Sequence, residues 1–355
     1  MSNAAANGLA GAGGGIIAQI ITYPLQAVNT RQQTERSNKK DKPKEKNNTI
    51  IQILQVIKNE GFGGLYSGLA PSLLGTAASQ GVYYYFYQIF KNKAEKIAAN
   101  KKSKGRGNGT VGMFSWIVVA AFAGSLNVLL TNPIWVIVTR MQTQSQAITK
   151  IVEGKKESLL DEASKANAGR QTLQAKLQEL EMEKAAPYGT FHAVQDVYNE
   201  SGIRGFWKGI IPTLIMVCNP SIQFMIYETC LNRLKSRRQE GKKNHKNVTA
   251  MEVFLLGAVA KLGATIATYP LLVVKSRLQA KQVIGGSSSS RYSGTADAIL
   301  KMIRHEGVPS FYKGMGTKMV QSVFAASVLF MVKEELVKAI LLMSSKSRPL
   351  LKPAP

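Results

Sequence analysis

The chain has 355 residues, 45% of them hydrophobic, and a formal net charge of +25 at pH 7, so a single soluble domain is only one of the classes that fit. The excess of basic residues indicates an anionic partner, which a nucleic acid, lipid headgroups or an anionic solute would provide. Only Cys218, Cys230 and three scattered histidines are present, which argues against a disulfide framework, a zinc site or a histidine-based catalytic centre.

Six long apolar stretches predict helices, each with enough residues to cross the hydrocarbon core of a bilayer. They lie near 8–33, 69–92, 111–143, 209–233, 248–282 and 314–341. Shorter amphipathic stretches, such as 50–59 and 296–305, predict helices that lie along the membrane surface. The first of the long stretches begins in MSNAAANGLAGAGGG, which resembles neither a signal peptide nor an organellar presequence, so we expect targeting information to be internal.

Two motifs recur three times in the same order. The first reads P-x-x-x-x-x-x-R-x-Q and occurs as YPLQAVNTRQQ at 23–33, NPIWVIVTRMQ at 132–142 and YPLLVVKSRLQ at 269–279. The second follows it as NEGFGGLYSG at 59–68, NESGIRGFWKG at 199–209 and HEGVPSFYKG at 305–314. The order predicts an all-α membrane protein with six transmembrane helices in three pseudo-symmetric two-helix repeats, together with short surface helices. We place the repeats at 1–100, 107–240 and 246–343, followed by a tail at 344–355.

The middle repeat carries an insertion at 144–187, rich in Lys, Glu, Gln and Ala. Leucines at 173, 177 and 180 have helical spacing, so the segment resembles an exposed helix. A solvated extension and a docking helix for a partner both remain open. The loops at 91–106 and 233–246 are more basic than that at 34–48, which predicts cytosolic termini and lipid-headgroup contact.

The tripled motif resembles the signature of the mitochondrial carrier family, P-x-[DE]-x-x-[KR]-x-[KR], then [DE]-G, then an aromatic residue with a basic residue and glycine. The resemblance covers essentially the whole chain. It implies a monomeric six-helix bundle with one central solute site that opens alternately to either side, and a transporter rather than an enzyme. It implies no cofactor, no metal and no nucleic acid as partner.

The prolines of the motif would kink three helices beneath a cavity, since proline removes a backbone donor. These prolines are Pro24, Pro133 and Pro270. The resemblance implies structural ion pairs between the motif arginines and the acids before the glycines, namely Arg31 with Glu60, Arg140 with Glu200 and Arg277 with Glu306.

In the family, acidic and basic residues after each proline form a ring of ion pairs that closes one end. Here the acidic positions hold Gln26, Trp135 and Leu272, and the basic positions hold Asn29, Val138 and Lys275. We therefore expect a gate held by something other than salt bridges. For Trp135, stacking on Lys275 and packing against lipid or a neighbouring helix both remain open. At the opposite gate, Lys91 would pair with Glu228 or Glu334.

The family places solute contacts about two turns past the second motif, which gives Gly75, Met216 with Val217, and Gln321. The apolar pair would contact an adenine. Lys261 and Lys318 are ionisable residues within predicted spans and are therefore candidate phosphate contacts. Further polar candidates around them are Gln19, Asn219, Gln223 and Tyr83. Ordinary packing is the alternative for the apolar contacts.

Local stretches such as NPSIQFMIYE and KGMGTKMVQSV resemble the peroxisomal members of the family that carry nucleotides and cofactors. This implies import of NAD, or a related adenine nucleotide cofactor, in exchange for AMP or another adenine nucleotide, across a peroxisomal membrane. NAD, AMP, ADP or CoA would then be transported substrates, and the basic loops would dock a peroxisomal membrane-protein import factor. An ATP/AMP, CoA or FAD carrier, a mitochondrial inner-membrane location and a non-transporting membrane scaffold are the alternatives.

Overall fold

The computed structural model describes residues 3–36, 49–104, 110–166, 188–240, 248–280 and 292–346. The described chain is built from helices without strands. The helices are α1 (Asn3–Thr34), α2 (Thr49–Glu60), α3 (Phe62–Leu65), α4 (Leu69–Ser103), α5 (Met113–Ala166), α6 (Thr190–Ser201), α7 (Ile210–Met216), α8 (Asn219–Glu240), α9 (Ala250–Gln279), α10 (Thr295–His305) and α11 (Met315–Lys346). Two 3-10 helices, Ile203–Trp207 and Val308–Tyr312, precede α7 and α11.

Long helices occupy all six predicted positions, the fourth being made of α7 and α8 together. Within the described residues, three segments are both long and apolar enough to cross a membrane: Met113–Ile148, Ile203–Ser236 and Met251–Gln279. Helices α1, α4 and α11 have 32, 35 and 32 residues, so they are long enough to span the hydrocarbon core, although they carry more polar side chains.

The distribution of buried side chains is inverted relative to that of a soluble protein. The largest fully buried side chains include Arg140, Arg277 and Gln142, whereas Phe114 and Phe254 are 78% and 67% exposed. Apolar side chains that face outward suit a lipid environment, where buried polar groups must instead find partners inside the protein. The core of this molecule is therefore polar where the proline-bearing helices α1, α5 and α9 meet.

The short helices α2 and α10 match the predicted surface helices, and α6 provides the equivalent in the middle repeat. Each is one-sided. Val56 is the buried residue of α2, Ala193 and Val197 are those of α6, and Ala298 and Met302 are those of α10. The spacing of four residues places each pair on one helix face, so these helices lie against the bundle with the opposite face exposed.

The prediction that the third long helix ends near 143 is wrong, because α5 continues without a break to Ala166. The first part of the insertion is thus an extension of α5, which its many Lys, Glu, Gln and Ala residues favour as strong helix formers. The leucines at 173, 177 and 180 lie outside the described residues.

The prediction of a continuous fourth helix over 209–233 is also wrong, because it breaks between α7 and α8. Pro220 has no backbone N–H, so the carbonyl of Met216 cannot receive its helical hydrogen bond. The chain tightens there, with the amide of Val217 donating to Leu214 O at 3.2 Å and that of Cys218 to Ile215 O at 3.1 Å. The break lies beside the residues predicted to contact the adenine.

Candidate functional site

The C-terminal ends of the three proline-bearing helices are joined by a cyclic set of hydrogen bonds. Each motif arginine donates from Nε to the backbone carbonyl of the motif glutamine on the next helix: Arg31 to Gln142, Arg140 to Gln279 and Arg277 to Gln33, each at 2.9 Å. All three arginines are at most 4% exposed. Each of the three helices thus donates one hydrogen bond to one neighbour and accepts one from the other. The three bonds form a closed cycle that joins the helices at this end.

The side-chain amides of the same glutamines continue the cycle towards the prolines. They donate to the side chain that precedes each proline: Gln142 to Tyr23 at 3.0 Å, Gln33 to Tyr269 at 3.2 Å and Gln279 to Asn132 at 3.4 Å. Those side chains in turn donate to the chain just before the next long helix: Tyr23 to Ser67 O, Tyr269 to Lys313 O and Asn132 to Phe206 O, each at 2.9 Å. We call these nine residues, the arginines, the glutamines and their tyrosine or asparagine partners, the closing ring.

The closing ring was missed as a functional set by the sequence analysis, although its members recur in the motif. The glutamine follows the motif arginine by two residues in every repeat, and the tyrosine or asparagine always precedes the proline. Recurrence of a polar residue at one depth in a membrane helix was the available indication of a shared partner.

The predicted arginine and glutamate pairs lie together in the structure. Arg31 holds Glu60 through two bonds of 2.6 and 2.8 Å, Arg140 lies 2.5 Å from Glu200, and Arg277 holds Glu306 in the same bidentate manner. Each pair ties the C-terminal end of a proline-bearing helix to the surface segment of its own repeat. Bidentate geometry of this kind fixes orientation as well as energy.

Two of these glutamates have a second cation. Lys208 contacts Glu200 at 2.9 Å and Lys313 contacts Glu306 at 3.1 Å. Burial alone would raise the pKa of both carboxyl groups, but the arginine and lysine beside each hold the pKa below its ordinary value. In the first repeat, Ser67 occupies the position of these lysines, and its hydroxyl donates to Met141 O at 2.9 Å. The tie of the first repeat therefore has one cation fewer at this position than the other two.

The six predicted gate positions lie beside the closing ring but do not form an ion-pair ring. Asn29 is buried and donates to Gly314 O at 2.6 Å, while Val138 is buried and apolar. Gln26 and Leu272 are half-buried, and Leu272 packs against an apolar cluster of α9 and α10. Amide and apolar side chains therefore occupy most of the positions at which the family signature has charged residues.

The structure decides between the two alternatives for Trp135. Its indole N–H donates to Ser79 Oγ of α4 at 3.2 Å, and its ring lies over Gly75, where an added Cβ would come within 3.6 Å of it. The indole thus packs against the neighbouring helix rather than on Lys275. Trp135 and Ile134 lie close over Gly75, so that glycine allows close helix contact in this conformation, and its contact with the solute stays a prediction.

The other predicted gate is separated in this structure. Lys91 lies 3.9 Å from Glu95, one turn along its own helix, and Glu228 is half-buried on α8. The side chain of Glu334 lies outside the described residues, so its pairing with Lys91 stays a prediction. A bundle joined at one end by the closing ring, with Lys91 and Glu228 unpaired with each other at the other end, corresponds to one of the two expected states.

The lysines predicted as phosphate contacts lie on α9 and α11. Lys318 of α11 donates to Gln321 Oε1 at 3.1 Å. Gln321 is 7% exposed, whereas Lys261 is exposed in the absence of lipid and solute. An amide and two ammonium groups in this arrangement are suited to an anionic solute.

Three of the remaining predicted solute residues make contacts between helices: Gln19, Asn219 and Val217. Gln19 donates to Ser72 at 2.9 Å and Asn219 donates to Thr268 at 2.7 Å. Val217 packs so closely on α5 that a Cβ added to Gly124 would lie 2.7 Å from it. Three other predicted solute contacts are half-buried: Met216, Gln223 and Tyr83. The ring of Tyr83 stacks on that of Tyr87, with 5.8 Å between the ring centroids.

Comparison with known proteins adds to this geometry. A family model described as mitochondrial carrier protein matches residues 1–97, 168–238 and 246–344. The peroxisomal nicotinamide adenine dinucleotide carrier of Arabidopsis thaliana is 61% identical over 347 residues, covering 98% of this chain and 99% of that protein. The chloroplastic nicotinamide adenine dinucleotide transporter 1 of the same plant is 29% identical, covering 92% and 89%. The peroxisomal membrane protein PMP34 of Mus musculus is 28% identical, covering 93% and 92%.

Proposed function

The chain belongs to the mitochondrial carrier family, and on that premise we propose that it transports NAD, or a related adenine nucleotide cofactor, in exchange for AMP or another adenine nucleotide. It is a transporter rather than an enzyme. The observation that carries the choice of NAD is the 61% identity, over nearly the full length of both chains, to a relative named as an NAD carrier. A second relative named as an NAD transporter also matches along most of the chain.

The geometry supports an anionic solute. Lys261 of α9 and Lys318 of α11 carry two positive charges on membrane-spanning helices, and charged side chains in a membrane bundle mark solute pathways. Met216 and Val217 are proposed to border the adenine, although Val217 also packs on Gly124. The helix breaks beside them between α7 and α8, where Pro220 cannot donate to the Met216 carbonyl.

We place the transporter in the peroxisomal membrane as a multi-pass protein with cytosolic termini. Relatives named as peroxisomal membrane proteins support that location. The basic loops at 91–106 and 233–246 would then face the cytosol, where they are available to anionic lipid headgroups and to an import factor for peroxisomal membrane proteins.

Reconstitution into liposomes tests the substrate. Uptake of labelled NAD into vesicles loaded with AMP would be competed with unlabelled NAD, NADH, AMP, ADP, ATP, CoA and FAD. We expect NAD and AMP to compete most strongly. Strong competition by CoA, FAD or ATP with none by NAD would replace the proposal with one of those carriers, and the absence of any uptake would favour a non-transporting scaffold.

Lys261→Ala tests the phosphate contact. Removing an ammonium group that lies in the solute pathway should abolish uptake while leaving the protein folded, because nothing else on that face of α9 replaces the charge at its depth. Lys96→Ala is the matched control, since Lys96 is exposed on α4 outside the solute pathway and should retain wild-type uptake. Unaltered uptake by Lys261→Ala would remove Lys261 from the site.

A further inference from the structure

At the closed end, neighbouring repeats meet along three seams that share one backbone geometry. Repeat 1 comprises α1 to α4, repeat 2 comprises α5 to α8 and repeat 3 comprises α9 to α11. In each seam, a glycine with positive φ precedes the second long helix of one repeat and lies against the proline-bearing helix of another. A Cβ added to each of these glycines would lie 3.1 or 3.2 Å from a side-chain carbon of that helix: Gly68 from Met141, Gly209 from Gln279 and Gly314 from Gln32. The side chains of the three seams can therefore be compared position by position.

The first position that differs is the fifth residue after each motif proline, which lies beside the glycine. Asn29 donates from its amide to Gly314 O at 2.6 Å and is 4% exposed. Val138 occupies the equivalent position between repeats 1 and 2, and its apolar side chain has no donor. Lys275 is the equivalent residue between repeats 2 and 3, and among the described residues its ammonium group has no hydrogen-bond partner. Within the described chain, the seam between repeats 3 and 1 therefore has a bond that the other two lack.

A second difference is the pair of side chains on the next turn of each seam. Thr317 donates to Gln32 Oε1 at 2.6 Å, and its hydroxyl lies 2.7 Å from that of Thr49 at the start of α2. Gln32 and Thr317 are 1% and 5% exposed, so water does not compete for these bonds. The equivalent pairs cannot form them, because proline has no side-chain donor: Met141 with Pro71 between repeats 1 and 2, and Leu278 with Pro212 between repeats 2 and 3.

Two further contacts extend the seam between repeats 3 and 1 towards the surface. The backbone carbonyl of Glu35, just past the end of α1, accepts from the Lys313 ammonium at 2.9 Å. One residue on, the Arg36 guanidinium lies 4.3 Å from the centroid of the ring of Tyr292, a residue that is 7% exposed. A cation over the face of an aromatic ring is attracted by it. Both contacts join the chain after α1 to residues of repeat 3 through a charged group.

The seam between repeats 3 and 1 is thus the most strongly bonded of the three among the described residues. Between repeats 1 and 2, Ser67 takes the place of Lys313 and Ser145 takes that of Arg36, so neither charged contact can form there. Breaking a buried hydrogen bond leaves its donor and acceptor unsatisfied, so a seam with more such bonds resists separation. We infer that the three seams do not part equally: the seam between repeats 3 and 1 opens last and least, and repeat 2 moves away from the other two. The inference rests on the proposed transport, of which this is the opening step, and it holds for any nucleotide carried.

Distances between the surface helices test this order of opening. The exposed residues Lys58, Tyr198 and Arg304 each lie two positions before the motif glutamate of their repeat, so they mark equivalent points. In a chain with Cys218→Ser and Cys230→Ser, the changes Lys58→Cys, Tyr198→Cys and Arg304→Cys, made two at a time, carry spin labels. Pulsed electron paramagnetic resonance then gives each distance in liposomes frozen during exchange of NAD for AMP. The Lys58–Tyr198 and Tyr198–Arg304 distances should gain a longer population, while the Lys58–Arg304 distance should shift least.

Moving the residues of one repeat into another shows whether the described bonds set this order. Asn29→Val with Gln32→Met gives α1 the residues that α5 has at the same positions. The Lys58–Arg304 distance should then lengthen as much as the other two, because the seam has lost two of its buried bonds. A Lys58–Arg304 distance that this variant leaves as in the wild type would overturn the role of these bonds.

A reciprocal variant keeps the inference testable if the double variant does not fold. Val138→Asn places an amide beside Gly68 and should reduce the lengthening between Lys58 and Tyr198. Equal changes at all three distances while exchange proceeds, or the largest change between repeats 3 and 1, would overturn the inference and leave the proposed transport standing. Absence of exchange of NAD for AMP by the unlabelled wild-type protein would instead overturn the proposed function.

Discussion

At the scale of single residues, Tyr269 shows how the closed end is held without charge pairs. Its hydroxyl donates to Lys313 O at 2.9 Å, accepts from Gln33 at 3.2 Å and lies 3.5 Å from the Asn29 amide. The side chain is 1% exposed, so water cannot replace these partners. One neutral hydroxyl thus connects α1, α9 and the start of α11.

Tyr269→Phe should weaken the closed conformation. The change removes the donor to Lys313 and leaves the buried Gln33 amide without that acceptor, which costs about 1 to 3 kcal/mol of stability. We expect a lower melting temperature in detergent and faster efflux of solute from loaded liposomes. Tyr85→Phe is the control, because Tyr85 is 65% exposed and should leave both measurements unchanged. Wild-type values for Tyr269→Phe would mean that the closing ring contributes little to closure.

At the scale of the elements, the surface segments are tied to the proline-bearing helices by buried carboxylates. Glu306 is bonded by Arg277 and Lys313, and Lys313 also donates to Glu35 O at 2.9 Å. Glu200 is held in the same way by Arg140 and Lys208. Each tie links helices of different repeats because the arginine also reaches the next repeat through its Nε.

These carboxylates predict an acid-sensitive fold. Their pKa is lower in the folded protein than in the unfolded chain, so their contribution to stability is complete above the unfolded value near 4.5 and is lost as the pH falls through the folded value. The melting temperature should therefore fall steeply below about pH 4.5. Glu306→Gln should lower stability at pH 7 by about 3 to 5 kcal/mol and flatten the acid limb, because Arg277 is left buried without its counter-charge. An acid limb that Glu306→Gln leaves unchanged would contradict this account.

Much of this arrangement could be predicted from the sequence, because its strongest features are repeated. The prolines and the arginine and glutamate positions recur at matched spacings, so the six helices and the three ties followed from them. The orientation of Trp135 did not follow, since an indole on a helix can reach either neighbour and only the fit against Gly75 and Ser79 selects one. The break at Pro220 and the continuation of α5 to Ala166 depend on local bonding that hydrophobic pattern does not report.

At the scale of the whole molecule, the described helices are joined at one end by the closing ring, and the proposed solute site lies between the two gates. The hydrogen bonds that join α1, α5 and α9 in the structure begin at the residue before each proline and extend to the C-terminal ends. Opening to that side must break these hydrogen bonds, three of which have a guanidinium donor, while the arginine and glutamate ties within each repeat can persist as the repeats move apart. The repeats are therefore expected to move as units about the site.

Because hydrogen bonds, and not a ring of ion pairs, join the repeats at the closed end, we predict measurable uniport alongside exchange. A neutral hydrogen bond contributes only about 0.5 to 1.5 kcal/mol net and one from a charged donor about 1.5 to 3, so hydrogen bonds alone hold the closed end less firmly than a full ring of ion pairs would. At the other gate, Lys91 lies beside Glu95 of its own helix. A solute shifts an equilibrium only by its difference in affinity for the two states, so a weakly held gate should also open without solute.

Uptake of labelled NAD into empty liposomes should then be slower than into AMP-loaded liposomes but clearly above that of protein-free vesicles. Gln26→Glu with Val138→Lys restores one acidic and one basic position of the ring and should reduce the flux into empty vesicles more than the exchange. Strict one-for-one exchange by the wild-type protein, with no flux into empty vesicles, would show that the hydrogen-bonded gate is as tight as a charged one.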